Sequence, residues 1–356
     1  MATYKLTHQL GQRKQFWVYP SYNQIVLFNM SEMILERVPC GICGGSQFRD
    51  LYIAKDYVYG IDGEWSVVQC SHCGVVLLNP RIPPAQIAKV YPKDYYTNTP
   101  GLDINERTWR RIAKDIVLER CYGYRLSGHK PLHYYLFGWS ILPFTSRWAI
   151  ARKFIYPAIS GRVLDIGCGN GQVLTEYRRL GWETYGLEIG PSAAEFAQQA
   201  GHEIFIGELP DANYPNDHFT AVTLWDTLEH ICNPGEIMRE IYRITQPGGR
   251  VYISVPNYGS WYGRTLKDKW FMFTAPLHYY HYTQATLTRL LTQSGFGDIR
   301  ICYPLGDAGL RYTLKGIWRD RRILNKAPDT FFVKWLLEGI DLLAPRGHLL
   351  AVAVKQ

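Results

Sequence analysis

The chain has 356 residues, of which 47% are hydrophobic and 20% charged, a balance typical of globular rather than disordered proteins. Its length predicts two or three domains. No apolar stretch reaches the roughly 18 residues that a transmembrane helix needs, and the N-terminus lacks the apolar core of a signal peptide, so we expect a cytoplasmic protein.

The sequence divides into four segments. An N-terminal extension shows no clear periodicity, and we give it no role, because Met30 and Met33 offer two further positions at which translation could start. The segments are the extension (1–36), a cysteine module (37–96), a basic aromatic connector (97–155) and a domain of alternating strands and helices (156–356).

Four of the eight cysteines form two C-x2-C pairs, Cys40/Cys43 and Cys70/Cys73, which bracket a predicted hairpin with its turn at Gly60–Gly63. Four thiolates complete a tetrahedral zinc site without an open position, so we predict a structural zinc ion. The alternatives are an iron–sulfur or redox site and four free thiols. We treat His72, inside the second pair, as a bystander.

The connector holds most of the net charge of +8, because ten Lys/Arg and three acidic residues lie between 105 and 153. Tryptophan, tyrosine and phenylalanine alternate with these basic residues. One interpretation is a wall for a phosphate-bearing acceptor, with peripheral contact to a membrane surface. The other, which we favour, is an amphipathic pair of helices that packs on the following domain.

Apolar runs and helical periods alternate from Arg162 onward, which predicts a mostly parallel sheet covered by helices. The predicted strands are 162–167, 183–188, 203–206, 219–225 and 250–255. The predicted helices lie near 171–180, 191–200, 234–245 and 284–294.

The stretch "VLDIGCGNG" joins the first of these strands to its helix and places glycine at Gly167, Gly169 and Gly171. The dinucleotide fingerprint is G-x-G-x-x-G, so the third glycine comes one residue early, and Asp165 precedes the first. This pattern favours S-adenosylmethionine, a ligand without phosphates. Glu188, at the end of the second strand, is placed to accept the ribose hydroxyls.

The motifs "RVLDIGCGNGQVL", "YGLEIGPSAAEFA", "DHFTAVTLWDTLEHICNP" and "PGGRVYISVPN" resemble the successive motifs of class I S-adenosylmethionine-dependent methyltransferases. The resemblance implies an α/β fold with a doubly wound, mostly parallel, seven-stranded Rossmann-like sheet and an antiparallel last pair, to which "LLAVAVKQ" belongs. It also implies cofactor-binding roles for ten residues. These are Asp165, Gly167, Cys168, Gly169, Gly171, Glu188, Ile189, Glu208, Leu209 and Asp226.

The end of the cysteine module, "CGVVLLNPRIPPAQIAKVYPKDYYT", resembles the N-terminal metal module of bacterial methyltransferases that act on sugars, glycans and other metabolites. We therefore expect a small-molecule or glycan-precursor acceptor, anionic in character, and no DNA partner. The alternatives are an RNA or protein methyltransferase that uses the module to recognise a polymer, and a non-catalytic scaffold. The module has few basic residues, which disfavours RNA.

Two segments offer a general base for an acceptor hydroxyl or acidic carbon. "APLHYYHY" supplies His278 and His281, either as bases that titrate near pH 6.5 or as residues of a lid. "WDTLEH" supplies His230 and resembles the E-x2-E-H metal motif of some O-methyltransferases, which implies a magnesium ion on Asp226, Glu229 and His230. The alternative is that Glu229 and His230 only orient the loop.

Overall fold

The computed structural model describes residues 34–87, 89–91, 161–304 and 347–356, together with a few single positions at 115–124 and 309–317. These residues form two sheets, one of four strands and one of seven. The predicted extension over 1–36 and the connector over 97–155 lie almost wholly outside the described residues.

The cysteine module folds as an antiparallel sheet whose first two strands form the predicted hairpin, with Phe48 opposite Cys70 and Ala54 opposite Trp65. The Asp56 carboxylate shapes the connecting loop, because it accepts backbone N–H groups of Val58, Tyr59 and Ile61. The module's elements are β1 (Phe48–Ala54), β2 (Trp65–Cys70), β3 (Val76–Leu78) and α1 (Pro84–Ile87).

The strands of the large sheet are β4 (Arg162–Ile166), β5 (Glu183–Glu188), β6 (Glu203–Ile206), β7 (Phe219–Trp225), β8 (Thr245–Pro256), β10 (Phe296–Cys302) and β11 (His348–Lys355). Their order in the sheet is β10-β11-β8-β7-β4-β5-β6. Strands β4 to β8 pair in parallel, and β11 pairs antiparallel with both β8 and β10, which confirms the predicted fold class.

Four α-helices of this domain lie within a residue or two of their predicted bounds, whereas the helix at Trp261–Leu266 was not predicted. In chain order the helices are α2 (Gln172–Arg179), α3 (Pro191–Gln199), α4 (Pro234–Ile244), α5 (Trp261–Leu266) and α6 (Gln284–Gln293). Helix α4 shows why the prediction works. Four of its apolar residues recur at helical spacing, and all four are buried: Ile237, Met238, Ile241 and Ile244. Strand β8 begins at Thr245, directly after α4 and five residues earlier than predicted.

The small sheet takes its fourth strand from the large domain, which the sequence did not reveal. Strand β9 (Tyr280–His281) follows β8 in the chain but pairs antiparallel with β3 of the cysteine module. One hydrophobic core accordingly contains side chains of both sheets, such as Trp65 and Leu77 from the small sheet and Leu164 and Val222 from the large one. The candidate site lies beside this junction.

Candidate functional site

The glycine-rich turn after β4 adopts a backbone that only glycine accepts readily. Gly167, Gly169 and Gly171 have φ angles of 73°, 54° and 76°. A Cβ atom on Gly167 would lie 2.6 Å from Thr227 Oγ1, and one on Gly171 would lie 2.8 Å from Ala197 Cβ. The turn is therefore closely packed and leaves its backbone amides near the carboxyl ends of the parallel strands.

The Glu188 carboxylate joins two turns at the end of β5. Its Oε2 accepts the backbone N–H of Gly169 at 2.8 Å, and its Oε1 accepts that of Gly190 at 2.8 Å. The sequence predicted a carboxylate here for ribose hydroxyls. The structure brings that carboxylate to the glycine turn and fixes its orientation, and each oxygen keeps a second lone pair for a ligand.

The other predicted cofactor residues divide into buried and exposed ones. Asp165 is buried beneath the turn, where its Oδ1 accepts the Thr223 hydroxyl at 2.6 Å, and Cys168 is buried beside it. Leu209 packs in the main hydrophobic core, whereas Glu208 is exposed. Ile189 is 62% exposed, which is unusual for a large apolar residue and leaves a surface for an apolar ligand group.

Asp226 directly follows β7 and has a positive φ of 54°, so the chain leaves the strand direction at this residue. Its Oδ1 accepts Nε2 of His348 at 3.0 Å and lies 3.4 Å from the Ser254 hydroxyl. His348 is buried, while the Asp226 side chain is 36% exposed. Sequence reasoning missed His348, although it directly precedes the strand that "LLAVAVKQ" predicted.

Glu229, His230 and His278 form a cluster whose potential ligand atoms lie within 4.8 Å of one another. Burial raises the pKa of the Glu229 carboxyl well above its ordinary value, and the charge of Asp226 adds to this shift. Burial lowers the pKa of His230 to about 4 and the pKa of His278 well below its usual range. The cluster therefore favours neutral side chains near pH 7.

The predicted magnesium set of Asp226, Glu229 and His230 is not the group that the structure assembles. His278 takes the place of Asp226, whose carboxylate is engaged by His348 instead. Two imidazoles and one carboxyl are a poor match for Mg²⁺, which prefers oxygen ligands in octahedral geometry. Moreover, Nδ1 of His230 already faces the Leu277 carbonyl and the Tyr91 hydroxyl, each at 3.0 Å.

His281 lies on the far side of the same segment and stacks on Phe273, with ring centroids 3.9 Å apart and planes 9° apart. Burial lowers the pKa of His281 to about 3. Burial thus lowers the pKa of both His278 and His281 below the value near 6.5 that was expected for a base in this segment.

The four cysteines of the module converge as predicted. The sulfur atoms of Cys40 and Cys73 are 3.6 Å apart, as are those of Cys43 and Cys70, and all four lie within 4.8 Å of one another. Tetrahedral zinc with Zn–S bonds of about 2.3 Å requires sulfurs about 3.8 Å apart. The four-cysteine cluster is therefore consistent with a zinc site, and His72 is not among the residues that the structure gathers there.

Each pair of cysteines sits on a tight turn of the same design. Gly44 donates its N–H to the Cys40 carbonyl at 2.7 Å, and Gly74 donates to the Cys70 carbonyl at 2.9 Å. Both glycines have positive φ angles, of 72° and 79°. These turns direct two thiols toward one point from each side, which is the geometry of a closed metal site.

A doubly wound sheet, a glycine-rich turn after its first strand and an acid at the end of its second are the arrangement that the sequence predicted for a class I S-adenosylmethionine-dependent methyltransferase domain. Residues 146–301 match the family model described as a methyltransferase domain. The chain thus carries a domain of this family, joined to a small antiparallel sheet that holds the four-cysteine cluster.

The chain is also similar to curated proteins. It is 32% identical over 126 residues to the ubiquinone biosynthesis O-methyltransferase of Proteus mirabilis (strain HI4320), and 31% identical over 155 residues to that of Pseudomonas putida (strain W619). These matches cover 33% and 41% of this chain. They cover 48% and 62% of the relatives, so the chain spans less than two thirds of the length of either.

Among solved structures, the chain is similar to S-adenosylmethionine-dependent methyltransferases from Archaeoglobus fulgidus and Mesorhizobium loti, each at 17% identity. The TM-scores are 0.41 and 0.39. The match to the Archaeoglobus fulgidus structure covers 68% of this chain and 99% of that chain. The match to the Mesorhizobium loti structure covers 56% of this chain and 93% of that chain.

The basic connector, with its predicted peripheral membrane contact over 105–153, lies almost wholly outside the described residues. Within the described part of the chain, none of the helices has the length and apolar character needed to cross a bilayer.

Proposed function

We propose that the protein transfers a methyl group from S-adenosylmethionine to a small-molecule or glycan-precursor acceptor. The observation that carries this proposal is the Glu188 carboxylate, held between the amides of Gly169 and Gly190 at the end of β5. An acid fixed in this position suits the two ribose hydroxyls of an adenosine ligand.

The cofactor residues proposed from the sequence keep their roles, with refinements from their positions. Gly167, Gly169 and Gly171 would let the methionine moiety approach the backbone, above the buried Asp165 and Cys168. Exposed Ile189 and Glu208 would contact the adenine directly, whereas buried Leu209 would support the wall behind them. When bound, the cofactor supplies a methyl group already activated by its sulfonium.

The chain must then orient the acceptor and remove its proton. His278 and His281 remain the proposed bases. Burial keeps both imidazoles neutral near pH 7, but the same lowered pKa makes them weak proton acceptors, which favours the lid role as the alternative. His230 would orient His278, since the two rings meet edge to face with centroids 4.5 Å apart, and Glu229 Oε1 lies 3.9 Å from Nε2 of His278, beyond hydrogen-bond distance. Asp226 would border the transfer site, with its orientation fixed by His348.

A low-molecular-weight acceptor is supported by two observations. The similar Proteus and Pseudomonas proteins carry the name ubiquinone biosynthesis O-methyltransferase, which denotes a small-molecule acceptor. The cysteine module, which a polymer-directed enzyme would use for recognition, is joined to the domain through strand β9 and carries few basic residues. An anionic acceptor remains our expectation.

We also propose that Cys40, Cys43, Cys70 and Cys73 hold one structural zinc ion. A module of about 60 residues buries too little surface to be stable alone, and a metal ion would contribute to its folding.

Binding calorimetry tests the cofactor assignment without knowledge of the acceptor. We expect S-adenosylmethionine to bind to the wild-type protein with one site per chain, and NAD to show no binding. Failure of S-adenosylmethionine to bind to folded protein would refute the proposed function. Binding without methyl transfer to any metabolite pool would favour the scaffold alternative.

A further inference from the structure

The segment that carries His278 and His281 is built into the cysteine module by backbone pairing. Tyr280 lies opposite Leu77, and His281 lies opposite Val76. One residue further, the N–H of Leu78 donates to the Tyr279 carbonyl at 3.0 Å. Of the two candidate bases, His281 therefore lies within the strand that completes the sheet of the four-cysteine module, and His278 lies two residues before that strand.

The Tyr280 hydroxyl makes the second connection, and it reaches a metal-binding turn directly. It accepts the N–H of Gly41 at 3.1 Å and donates to the Cys232 carbonyl at 3.1 Å. Gly41 directly follows Cys40, and a Cβ atom there would lie 2.5 Å from the Tyr280 hydroxyl oxygen. The side chain is 1% exposed, so this hydroxyl has no solvent to replace either partner.

The loop on the other side of Tyr280 carries the rest of the polar cluster. Cys232 follows Glu229 and His230 closely in sequence, and the Glu229 carbonyl accepts the N–H of Tyr279 at 2.8 Å. Arg81 of the cysteine module donates to the same Cys232 carbonyl at 2.8 Å. The Gly41 carbonyl also accepts the N–H of Gly235, at the start of α4. Both loops of the site thus bond to the cysteine module.

We propose that the four-cysteine site acts as a positioning element for the candidate catalytic centre, and that Tyr280 is the positioning residue that links them. This inference deepens the proposed function and rests on it. A metal ion on Cys40 fixes the turn at Gly41, Gly41 fixes the Tyr280 hydroxyl, and Tyr280 fixes both loops. The module thereby has a role in the active site, separate from any role in recognising a polymer.

Tyr282 supplies a matched control for Tyr280. It lies two residues away on the same segment, its ring is fully buried, and the two rings stack with centroids 6.3 Å apart. Its hydroxyl has no hydrogen-bond partner among the residues that the structure describes. Tyr280→Phe and Tyr282→Phe therefore delete the same atom from similar surroundings, but only the first deletion breaks the link.

The test is amide hydrogen exchange of the zinc-loaded full chain, followed by mass spectrometry. In the Tyr280→Phe variant with zinc bound, we expect the amide exchange rate at 228–235 and 276–283 to rise about tenfold. Loss of one buried hydrogen bond changes a local opening equilibrium by about that factor. Exchange at 162–188 should stay unchanged, and Tyr282→Phe should match wild type in all three regions. Equal exchange in the two variants, or a uniform increase along the chain, would overturn the proposal.

A spectroscopic measurement separates positioning from a general structural role. With Co²⁺ in place of zinc, the thiolate-to-metal absorption bands report the geometry of the four-cysteine site. Because coupling between two sites is reciprocal, Tyr280→Phe should shift these bands and Tyr282→Phe should not. Identical spectra in wild type and Tyr280→Phe would contradict the link. Neither measurement uses the cofactor, so loss of the proposed function would appear separately, in calorimetry with S-adenosylmethionine.

Discussion

Glu188 is the single residue on which the cofactor turn depends most, because its carboxylate bonds to the amides of Gly169 and Gly190 at once. Replacing it with alanine removes the proposed acceptor of two ribose hydroxyls. Each hydrogen bond to a charged group is worth about 1.5–3 kcal/mol, so we expect Glu188→Ala to weaken S-adenosylmethionine binding at least tenfold.

Calorimetry measures this loss, and circular dichroism verifies that the variant is folded. Glu183→Ala is the matched control, since Glu183 is exposed at the opposite end of the same strand. Unchanged affinity in folded Glu188→Ala would move the ribose site elsewhere.

Alanine variants of His278 and His281 distinguish a base role from a lid role. If one is the general base, its replacement by alanine should lower turnover about 10²–10⁴-fold while cofactor affinity changes little. We favour His278, which lies beside Glu229, whereas His281 is stacked on Phe273. Turnover near wild type in both variants at saturating acceptor would exclude the base role and leave the lid role.

The buried histidines also predict how stability depends on pH. Burial lowers the pKa of His281 to about 3 and that of His230 to about 4, below the ordinary value near 6.5 that each regains on unfolding. Because the unfolded chain then binds more protons than the folded one, the free energy of unfolding should fall as pH decreases from about 6.5 to 4.

The expected slope is about 1.4 kcal/mol per pH unit for each histidine, measured by urea unfolding. In His281→Gln the slope should be smaller by that amount. The same slope in wild type and His281→Gln would show that the His281 side chain is not buried as described.

Secondary-structure elements were the part of the fold most accessible from sequence. Glycine and proline mark the ends of helices such as α3 and α4, which begin at Pro191 and Pro234, and apolar periodicity distinguishes helix from strand between them. Strand β9 escaped prediction because it has only two residues and its partner, β3, lies some 200 residues earlier in the chain. No local pattern specifies such a pairing.

The candidate site likewise combines local sequence motifs with contacts between distant segments. The glycine turn, Glu188 and the four cysteines are local motifs, and sequence located them. The Asp226–His348 pair and the replacement of Asp226 by His278 in the polar cluster depend on contacts between distant segments. The low pKa values of the histidines follow from burial, which the tertiary fold decides.

At the scale of the element, the metal content of the cysteine module can be tested. We expect one zinc ion per chain, measured by elemental analysis, and its loss in Cys70→Ser. Chelation should increase amide exchange first at the turns around Cys40 and Cys70, because the ion is their main cross-link. Cys302→Ser is the control, since this exposed cysteine lies outside the module. Iron in gently purified protein would favour the iron–sulfur alternative.

At the scale of the whole molecule, the two sheets share one hydrophobic core and one set of loops. This continuity makes the cysteine module a structural part of the methyltransferase domain. We therefore expect the module and the domain to unfold together, as a single transition in calorimetry of the zinc-loaded protein. Two separate transitions would show that the junction at β9 does not couple them.

Methyl transfer itself tests the central claim most directly. The zinc-loaded protein is incubated with S-adenosylmethionine that carries an isotopically labelled methyl group and with a bacterial metabolite extract, and the products are separated by size. We predict labelled methyl in the low-molecular-weight fraction with wild type and Glu183→Ala, and a strong reduction with Glu188→Ala. Label confined to RNA or protein, or the same label with wild type and with no enzyme, would contradict the account.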